Sequence, residues 1–218
     1  MLQPVPVNEA DRLATLALYE VLDTPPEFAH DALTELAVDD LYEPFLEKFT
    51  AAMTASKMGD PFAEDTVLGP LSSVTAAERL QEQIDKAVAQ GARLVAGGTR
   101  EGAYFAPTVL TDVTPDMDVY REELFGPAGV VYKVADEDEA VAIANDTTFG
   151  LGSYVFTTDE AQAQRVADGI EAGMVFVNLV LADGAELPFG GVKRSGFGRE
   201  LGRFGMEEFV NKKLIRTA

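Results

Sequence analysis

Residues 128–177 read AGVVYKVADEDEAVAIANDTTFGLGSYVFTTDEAQAQRVADGIEAGMVFV and decide the fold class of the chain. A valine-rich strand over 128–134 precedes a helix that Asp136 and Glu139 cap and that ends near Asn145. A second strand, a second helix and a third strand follow, separated by glycines. This alternation predicts a parallel sheet with helices packed on it, so we expect an α/β fold.

Upstream of this stretch, the sequence adds further helices and strands. Apolar residues spaced four apart from about Leu41 predict an amphipathic helix. Thr75 and Glu78 form a capping box that opens a second helix. The stretch from Tyr104 to Val113 contains Pro107, which cannot donate to a sheet ladder. We therefore expect that stretch to be an edge strand or an extended arm.

The composition limits the classes of function. The 218 residues carry a formal net charge of −20, which disfavours nucleic acid and anionic membranes as partners because like charges repel. The chain has no cysteine, so disulfides, zinc–thiolate sites and thiol chemistry are excluded, and we predict no metal site. The sequence also contains neither a transmembrane-length apolar run nor a hydrophobic signal core, so we expect a cytoplasmic protein.

Eight short motifs, in order and at matching spacing, resemble the C-terminal half of the aldehyde dehydrogenase family. They are GDP (59–61), LGPL (68–71), PTVL (107–110), EELFGP (122–127), NDT (145–147), FGL (149–151), GMVFVN (173–178) and PFGGVKRSGFGRE (188–200). The resemblance runs from about residue 40 to the end and is greatest for the succinate-semialdehyde dehydrogenase branch. It implies a partial catalytic domain, residues 39–218, with a mostly parallel sheet flanked by helices and a C-terminal strand that pairs subunits.

The resemblance also implies site residues. Glu123 matches the family glutamate that bonds the nicotinamide ribose, and Phe125 matches the phenylalanine that lies against the nicotinamide ring. Phe189 matches the phenylalanine that lines the entry channel of the aldehyde substrate. NAD or NADP is therefore the implied cofactor. The neighbouring cations of the 188–200 motif, which include Lys193, either lie in solvent or bind an anion.

Part of the family mechanism has no counterpart in the chain. The family attacks its substrate with a cysteine thiolate, and it holds the cofactor in a Rossmann domain; both precede the part that this chain resembles. No catalytic residue is therefore assigned, and the resemblance implies a truncated dehydrogenase that is inactive alone. Asp183 and Glu186 stand just before the 188–200 motif, where the semialdehyde branch carries serine and arginine. These carboxylates would repel succinate semialdehyde, the candidate substrate.

The N-terminal residues 1–38 differ in character from the rest. Two motifs, Asn8–Leu13 and Leu22–Glu27, resemble the leader of GAF-type sensor domains, although no GAF sheet follows them. Helical spacing predicts an extension of two short helices, the second ending near Ala37. The single histidine, His30, lies in this segment, and we expect it to have a surface or structural role.

Three readings of the whole chain remain open. The first is a truncated aldehyde dehydrogenase that carries the family's sequence but little activity. The second is a non-catalytic partner that forms a homo- or hetero-oligomer with an intact dehydrogenase through a strand over Asn211–Arg216. The third is a signalling fragment that depends on residues 8–37 alone.

Overall fold

The computed structural model describes residues 15–16, 33–179 and 184–218. The described strands are β1 (Thr15–Leu16), β2 (Leu33–Val38), β3 (Arg93–Ala96), β4 (Arg100–Glu101), β5 (Tyr104–Phe105), β6 (Thr108–Thr111), β7 (Ala128–Val134), β8 (Gly152–Val155) and β9 (Met174–Val177). The described helices are α1 (Asp39–Ala55), α2 (Val74–Gln90), α3 (Glu137–Asn145), α4 (Glu160–Gly169) and α5 (Gly202–Glu207). The chain divides into two compact units, Met1–Ala140 and Val141–Ala218.

A five-stranded sheet in the order β1-β2-β7-β6-β3 forms the centre of the first unit. The three middle strands run parallel, and each edge strand pairs antiparallel with its neighbour. Strands β4 and β5 form a separate antiparallel pair. The prediction of an α/β fold with a mostly parallel sheet and flanking helices is confirmed.

Alternating side chains on the middle strands create two buried layers. Val109 and Val131 pack in one apolar cluster with the residues of α1, such as Phe45. Leu110 and Val130 belong to the other cluster, which contains the buried residues of α2. Because neighbouring strand residues face opposite sides, each helix covers one face of the sheet. Each fully buried aliphatic side chain stabilises such a core by about 1.5–3 kcal/mol.

The stretch around Pro107 is neither an edge strand nor an arm, so that prediction was wrong. Strand β6 lies between β7 and β3, and all four of its residues are buried. Pro107 stands one residue before the strand and therefore removes no donor from its ladder. The first ladder donor is the amide of Thr108, which donates to the carbonyl of Pro127 over 2.8 Å.

The described parts of the N-terminal segment are strands rather than helices. Leu33–Val38 pairs in parallel with β7 along its whole length, and Thr15–Leu16 pairs antiparallel with Leu36–Ala37. The physical reason is that β7 exposes a second row of ladder groups, which a helix at 33–38 would leave unpaired. Both GAF-like motifs and His30 lie outside the described residues.

The second unit contains a parallel pair, β8 and β9, connected through α4. Tyr154 and Phe176 stack across this pair with ring centroids 5.9 Å apart. After α5, residues 211–218 are exposed and have no regular secondary structure. The predicted C-terminal strand is thus not formed in this chain, because a strand requires a ladder partner. No described helix is long and apolar enough to cross a bilayer.

Candidate functional site

The predicted cofactor-contacting residues lie on a narrow turn in the first unit, here called the 122–127 turn. The Gly126 amide donates to the Leu124 carbonyl over 2.9 Å, and the Ala128 amide donates to the Gly126 carbonyl over 2.7 Å. Two successive three-residue turns therefore lead into β7. Leu124 is 1% exposed and belongs to the core, whereas Phe125 is 63% exposed. The turn therefore buries one side chain and presents the next one to solvent.

Gly126 explains why the chain can turn so tightly at this point. A Cβ atom at this position would lie 2.5 Å from a terminal methyl carbon of Leu80 on α2, with Leu71 also in contact. Any residue with a Cβ fits here only if the Leu80 side chain shifts. Close packing against α2 thus fixes the backbone on which Phe125 stands.

Glu123 lies on the exposed side of the same turn. Among the residues that the structure describes, its carboxylate has no hydrogen bond or ion pair. The neighbouring Glu122 differs, because its carboxylate accepts a 3.1 Å hydrogen bond from the side-chain amide of Gln83. The same Gln83 nitrogen donates to the backbone carbonyl of Glu123 over 3.3 Å. Glu123 therefore keeps all its carboxylate acceptors available to a ligand.

The predicted substrate-contacting residue, Phe189, belongs to a loop in the second unit, here called the 188–200 loop. Phe189 is half-buried, and it exchanges two backbone hydrogen bonds with Glu200, over 2.9 and 2.6 Å. A Cβ atom on Gly190 would lie 2.5 Å from the carbonyl oxygen of Gly198 across the loop. The base of the loop is therefore too narrow for any residue but glycine at position 190.

Backbone hydrogen bonds fasten this loop to the segment before β8. The Val192 amide donates to the Gly150 carbonyl over 2.8 Å, and the Arg194 amide donates to the Thr148 carbonyl over 2.9 Å. The Gly150 amide in turn donates to the Ser195 hydroxyl over 3.1 Å. The loop is thus held at three points before any long side chain is considered.

Each of the three cations of the loop contacts another group of the second unit. Lys193 donates to the carbonyl of Asn145 over 2.8 Å and pairs with Glu171 at 2.8 Å. Arg199 donates to two carbonyls of its own loop, and the guanidinium of Arg194 lies 5.4 Å from the ring centre of Phe149. Sequence reasoning missed these contacts, since a cation's partners depend on residues far away in the chain.

The side chain of Asn178 has a structural role. It follows β9 with a positive φ of 55°, a conformation that asparagine tolerates better than most residues. Its side chain accepts from the Thr157 amide and donates to the Thr157 carbonyl, each over 2.9 Å. Of the two carboxylates noted before the loop, Glu186 is exposed, and Asp183 lies outside the described residues.

One open hollow in the first unit involves none of the predicted site residues. Its volume is about 580 Å³, and α1 and β3 supply its lining residues, which include Glu47, Thr50 and Arg93. Within the described ranges, no three histidine, cysteine or acidic side chains are grouped as a metal site requires. The 122–127 turn and the 188–200 loop therefore remain the candidate functional regions.

Known proteins resemble this chain in both sequence and fold. A model of the aldehyde dehydrogenase family matches residues 34–215. A succinate-semialdehyde dehydrogenase (NADP(+)) from Deinococcus radiodurans is 56% identical over 185 residues, which are 84% of this chain and 39% of that protein. The solved succinic semialdehyde dehydrogenase of Streptococcus pyogenes, in complex with NADP+, aligns with a TM-score of 0.81 and 41% identity, over 85% of this chain and 41% of that one.

A third similar protein is the betaine aldehyde dehydrogenase of Staphylococcus aureus, solved in complex with NAD+. It aligns with a TM-score of 0.77 and 36% identity, over 81% of this chain and 36% of that one. The chain thus spans about two fifths of the length of the relatives it matches. The family match begins at residue 34 and therefore includes most of β2.

Proposed function

Because the chain belongs to the aldehyde dehydrogenase family, we propose that it supplies the nicotinamide-contacting and aldehyde-contacting part of an NAD(P)-dependent dehydrogenase. Glu123 accepts hydrogen bonds from the ribose, Phe125 lies against the nicotinamide ring, and Phe189 lines the path of the aldehyde. The observation that carries this proposal is the fixed exposure of Phe125, 63% accessible beside a fully buried Leu124.

The chemistry of the turn suits one end of a dinucleotide. A carboxylate with unused acceptors binds a pair of sugar hydroxyls well, and an exposed aromatic face stacks on a flat ring. When bound, the cofactor supplies the acceptor for the hydride that leaves the substrate. The turn's own contribution is to orient the ring, because its backbone is held by the core and does not have to order on binding.

We propose further that the isolated 218-residue chain does not oxidise aldehydes. The chain contains no cysteine, and the family reaction begins with attack by a thiolate. A serine or threonine does not replace it without a neighbouring base. The nucleophile of the complete site must then come from outside these residues.

The candidate substrate is succinate semialdehyde, since the relatives named above include two succinate-semialdehyde dehydrogenases. The exposed carboxylate of Glu186 argues for testing uncharged aldehydes beside it. NADP is the first cofactor to test, because those two proteins are named with it, and NAD is the second.

A second candidate role is that of a partner subunit, and the C-terminal tail favours it. Phe209 and Leu214 are each 90% exposed and Ile215 is 75% exposed, which is unusual for apolar residues of a chain that works alone. We propose that a partner strand pairs with residues 211–216, in a homo- or hetero-oligomer in the cytoplasm. Sedimentation of the purified chain as a strict monomer, alone and with an intact dehydrogenase, would contradict this role.

The experiment for the principal proposal is a cofactor titration of the purified chain, followed by NMR signals of backbone amides. Adding NADP+ should shift the signals of Glu123 and Phe125, and Glu123→Ala or Phe125→Ala should weaken binding by about tenfold. Phe62→Ala is the control, because Phe62 is 96% exposed on a different loop of the same unit. Absence of any shift with NADP+ and NAD+, both for the chain alone and for the chain mixed with the preceding part of the Deinococcus enzyme, would refute the cofactor contact.

The inactivity proposal has its own test. The chain is incubated with aldehyde and NADP+, and reduced cofactor is measured by its absorbance. We expect no turnover from the chain alone. Addition of a purified fragment holding the part of the Deinococcus enzyme that precedes the match should restore turnover if the two halves assemble. Turnover by the chain without that fragment would overturn the proposal.

A further inference from the structure

Helix α2 contacts the 122–127 turn through two side chains on one face. Leu80 and Gln83 are three residues apart, so they are neighbours on the helix surface. Leu80 packs where the turn has no Cβ, at Gly126. Gln83 reaches the other end of the turn, where its side-chain nitrogen donates to the Glu122 carboxylate and to the Glu123 carbonyl. The helix thus holds the turn by an apolar and a polar contact.

Gln83 contacts the two neighbouring glutamates, Glu122 and Glu123, through different groups. Both glutamates have exposed side chains. Gln83 holds the carboxylate of Glu122 on α2 and fixes the main chain of Glu123, but it leaves the carboxylate of Glu123 without a partner among the described residues. A neutral amide with two N–H groups is suited to this, because it serves a carboxylate and a carbonyl together without adding charge.

We propose that Gln83 is a positioning residue for Glu123: it sequesters the adjacent Glu122 and locks the turn so that only the Glu123 carboxylate faces an incoming ribose. This inference rests on the proposed cofactor role of the turn. Without Gln83, two adjacent carboxylates compete for one position, and the turn loses its only described hydrogen bonds to α2. The consequence is a weaker and less uniquely oriented cofactor contact.

The test substitutes Gln83→Leu in the full chain, which keeps volume but removes both donors. The matched control is Gln81→Leu. Gln81 is also half-buried on α2, and its nitrogen likewise donates to one carboxylate, of Asp85, and to one backbone carbonyl, of Gly98, each over 2.9 Å. Both variants therefore lose the same kinds of hydrogen bond from the same helix. Only in Gln83→Leu do the lost hydrogen bonds lead to the 122–127 turn.

The first readout needs no cofactor. Backbone amide NMR signals of Glu123 and Gly126 should move in Gln83→Leu and stay in place in Gln81→Leu. Gln83→Lys keeps N–H donors at this position and should return the signals toward those of the unsubstituted chain. Unchanged signals in Gln83→Leu, or equal movement in Gln81→Leu, would overturn the inference.

The second readout is the affinity for NADP+. We expect Gln83→Leu to bind about tenfold more weakly than the unsubstituted chain, and Gln81→Leu to bind equally well. Equal affinity of Gln83→Leu and the unsubstituted chain would overturn the positioning role. If the turn signals move as expected but the unsubstituted chain binds neither NADP+ nor NAD+, alone or mixed with the preceding part of the Deinococcus enzyme, the contact of Gln83 with the turn stands and the proposed function fails.

Discussion

The 122–127 turn and the 188–200 loop each present a phenylalanine, but different forces hold them in place. The turn is fixed mainly by apolar burial, beside its contact with Gln83: Leu124 is 1% exposed, and Leu80 fills the space beside Gly126. The loop has no buried anchor of that kind. It is held by backbone hydrogen bonds to residues 148–150 and by the half-buried Lys193.

This difference predicts how each segment responds to mutation. An apolar anchor concentrates stability in one or two side chains, because removing a buried group loses its transfer free energy and leaves a cavity. A hydrogen-bonded loop distributes stability over many contacts of about 1 kcal/mol each. The turn should therefore be sensitive at single positions and the loop should be tolerant, except where one side chain makes several bonds.

The largest expected effect is that of Leu124→Ala. It should lower the free energy of unfolding by about 3 kcal/mol, because a fully buried leucine is removed from the core of the first unit. Phe125→Ala, one residue away, should change it by less than about 0.5 kcal/mol, since its ring lies in solvent. Urea unfolding followed by circular dichroism measures both. Equal losses from the two variants would show that the turn is not anchored through Leu124.

In the second unit, we expect substitution of Asn178 to cause the largest loss of unfolding free energy. Asn178→Ala removes both hydrogen bonds to Thr157 and places a Cβ-bearing residue without a polar side chain at positive φ, so we expect a loss of about 2 kcal/mol. Asn178→Gly removes the same bonds but accepts the backbone conformation, and it should cost about 1 kcal/mol. The same urea titration separates them. Identical losses would mean that backbone conformation contributes nothing here.

The elements of the fold differ in how far the sequence predicted them. Strand β7 covers the residues that its valine-rich run predicted, and α3 has its predicted cap, because the Asp136 carboxylate accepts from the Glu139 amide. The capping box predicted for α2 was wrong: the N-cap is Ser73, whose hydroxyl accepts from the Ala76 amide, and Thr75 lies inside the helix. Such features depend on residues close together in the chain. The prediction for β2 was a helix, because its membership of the sheet depends on β7, about a hundred residues later.

The site shows the same division between local and distant causes. Motif resemblance predicts Glu123, Phe125 and Phe189 as site residues, and the close packing at Gly126 and Gly190 depends on the absence of a Cβ atom there. Gln83 gave no signal in sequence, since its partners lie 39 and 40 residues away on another element. The polar contacts that orient a site are therefore the part that required the structure.

Lys193→Met tests the cation that joins the loop to Asn145 and Glu171 outside it. Lys193 is 22% exposed and contacts both Asn145 and Glu171, so its loss should lower the free energy of unfolding by about 1–2 kcal/mol. Arg203→Met is the control: Arg203 is 87% exposed in its pair with Glu207 and should matter by less than about 0.5 kcal/mol. Backbone amide NMR should also show movement of Phe189 only in the first variant. An unchanged Phe189 signal in Lys193→Met would show that this cation does not fix the position of the loop.

The smallest effect on stability is expected for the exposed carboxylate of Asp118 in the first unit. Asp118 accepts from Lys86 and Gln90, each over 2.7 Å, but Lys86 is 55% exposed and Asp118 is 43% exposed. These hydrogen bonds, with that from Lys86 contributing most, hold the pKa of Asp118 below its ordinary value. A carboxylate with a lowered pKa in the folded state stabilises the protein above the pKa it has when unfolded. That stabilisation is lost as the pH falls through the folded-state pKa.

Asp118→Asn should therefore be slightly less stable than the unsubstituted chain at neutral pH, and the difference should close as the pH falls below about 4. Salt should also reduce it, because the pair with Lys86 is largely in solvent. Asp116→Asn is the control: the pKa of Asp116 is lowered chiefly by the Thr114 hydroxyl, so its difference should close in acid but resist salt. Urea titrations across pH and ionic strength measure both. If the stability difference between Asp118→Asn and the unsubstituted chain grows in acid, the assigned direction of the pH dependence is wrong. If that difference exceeds the loss of unfolding free energy in Lys193→Met, burial does not decide how much a hydrogen-bonded ion pair stabilises this chain.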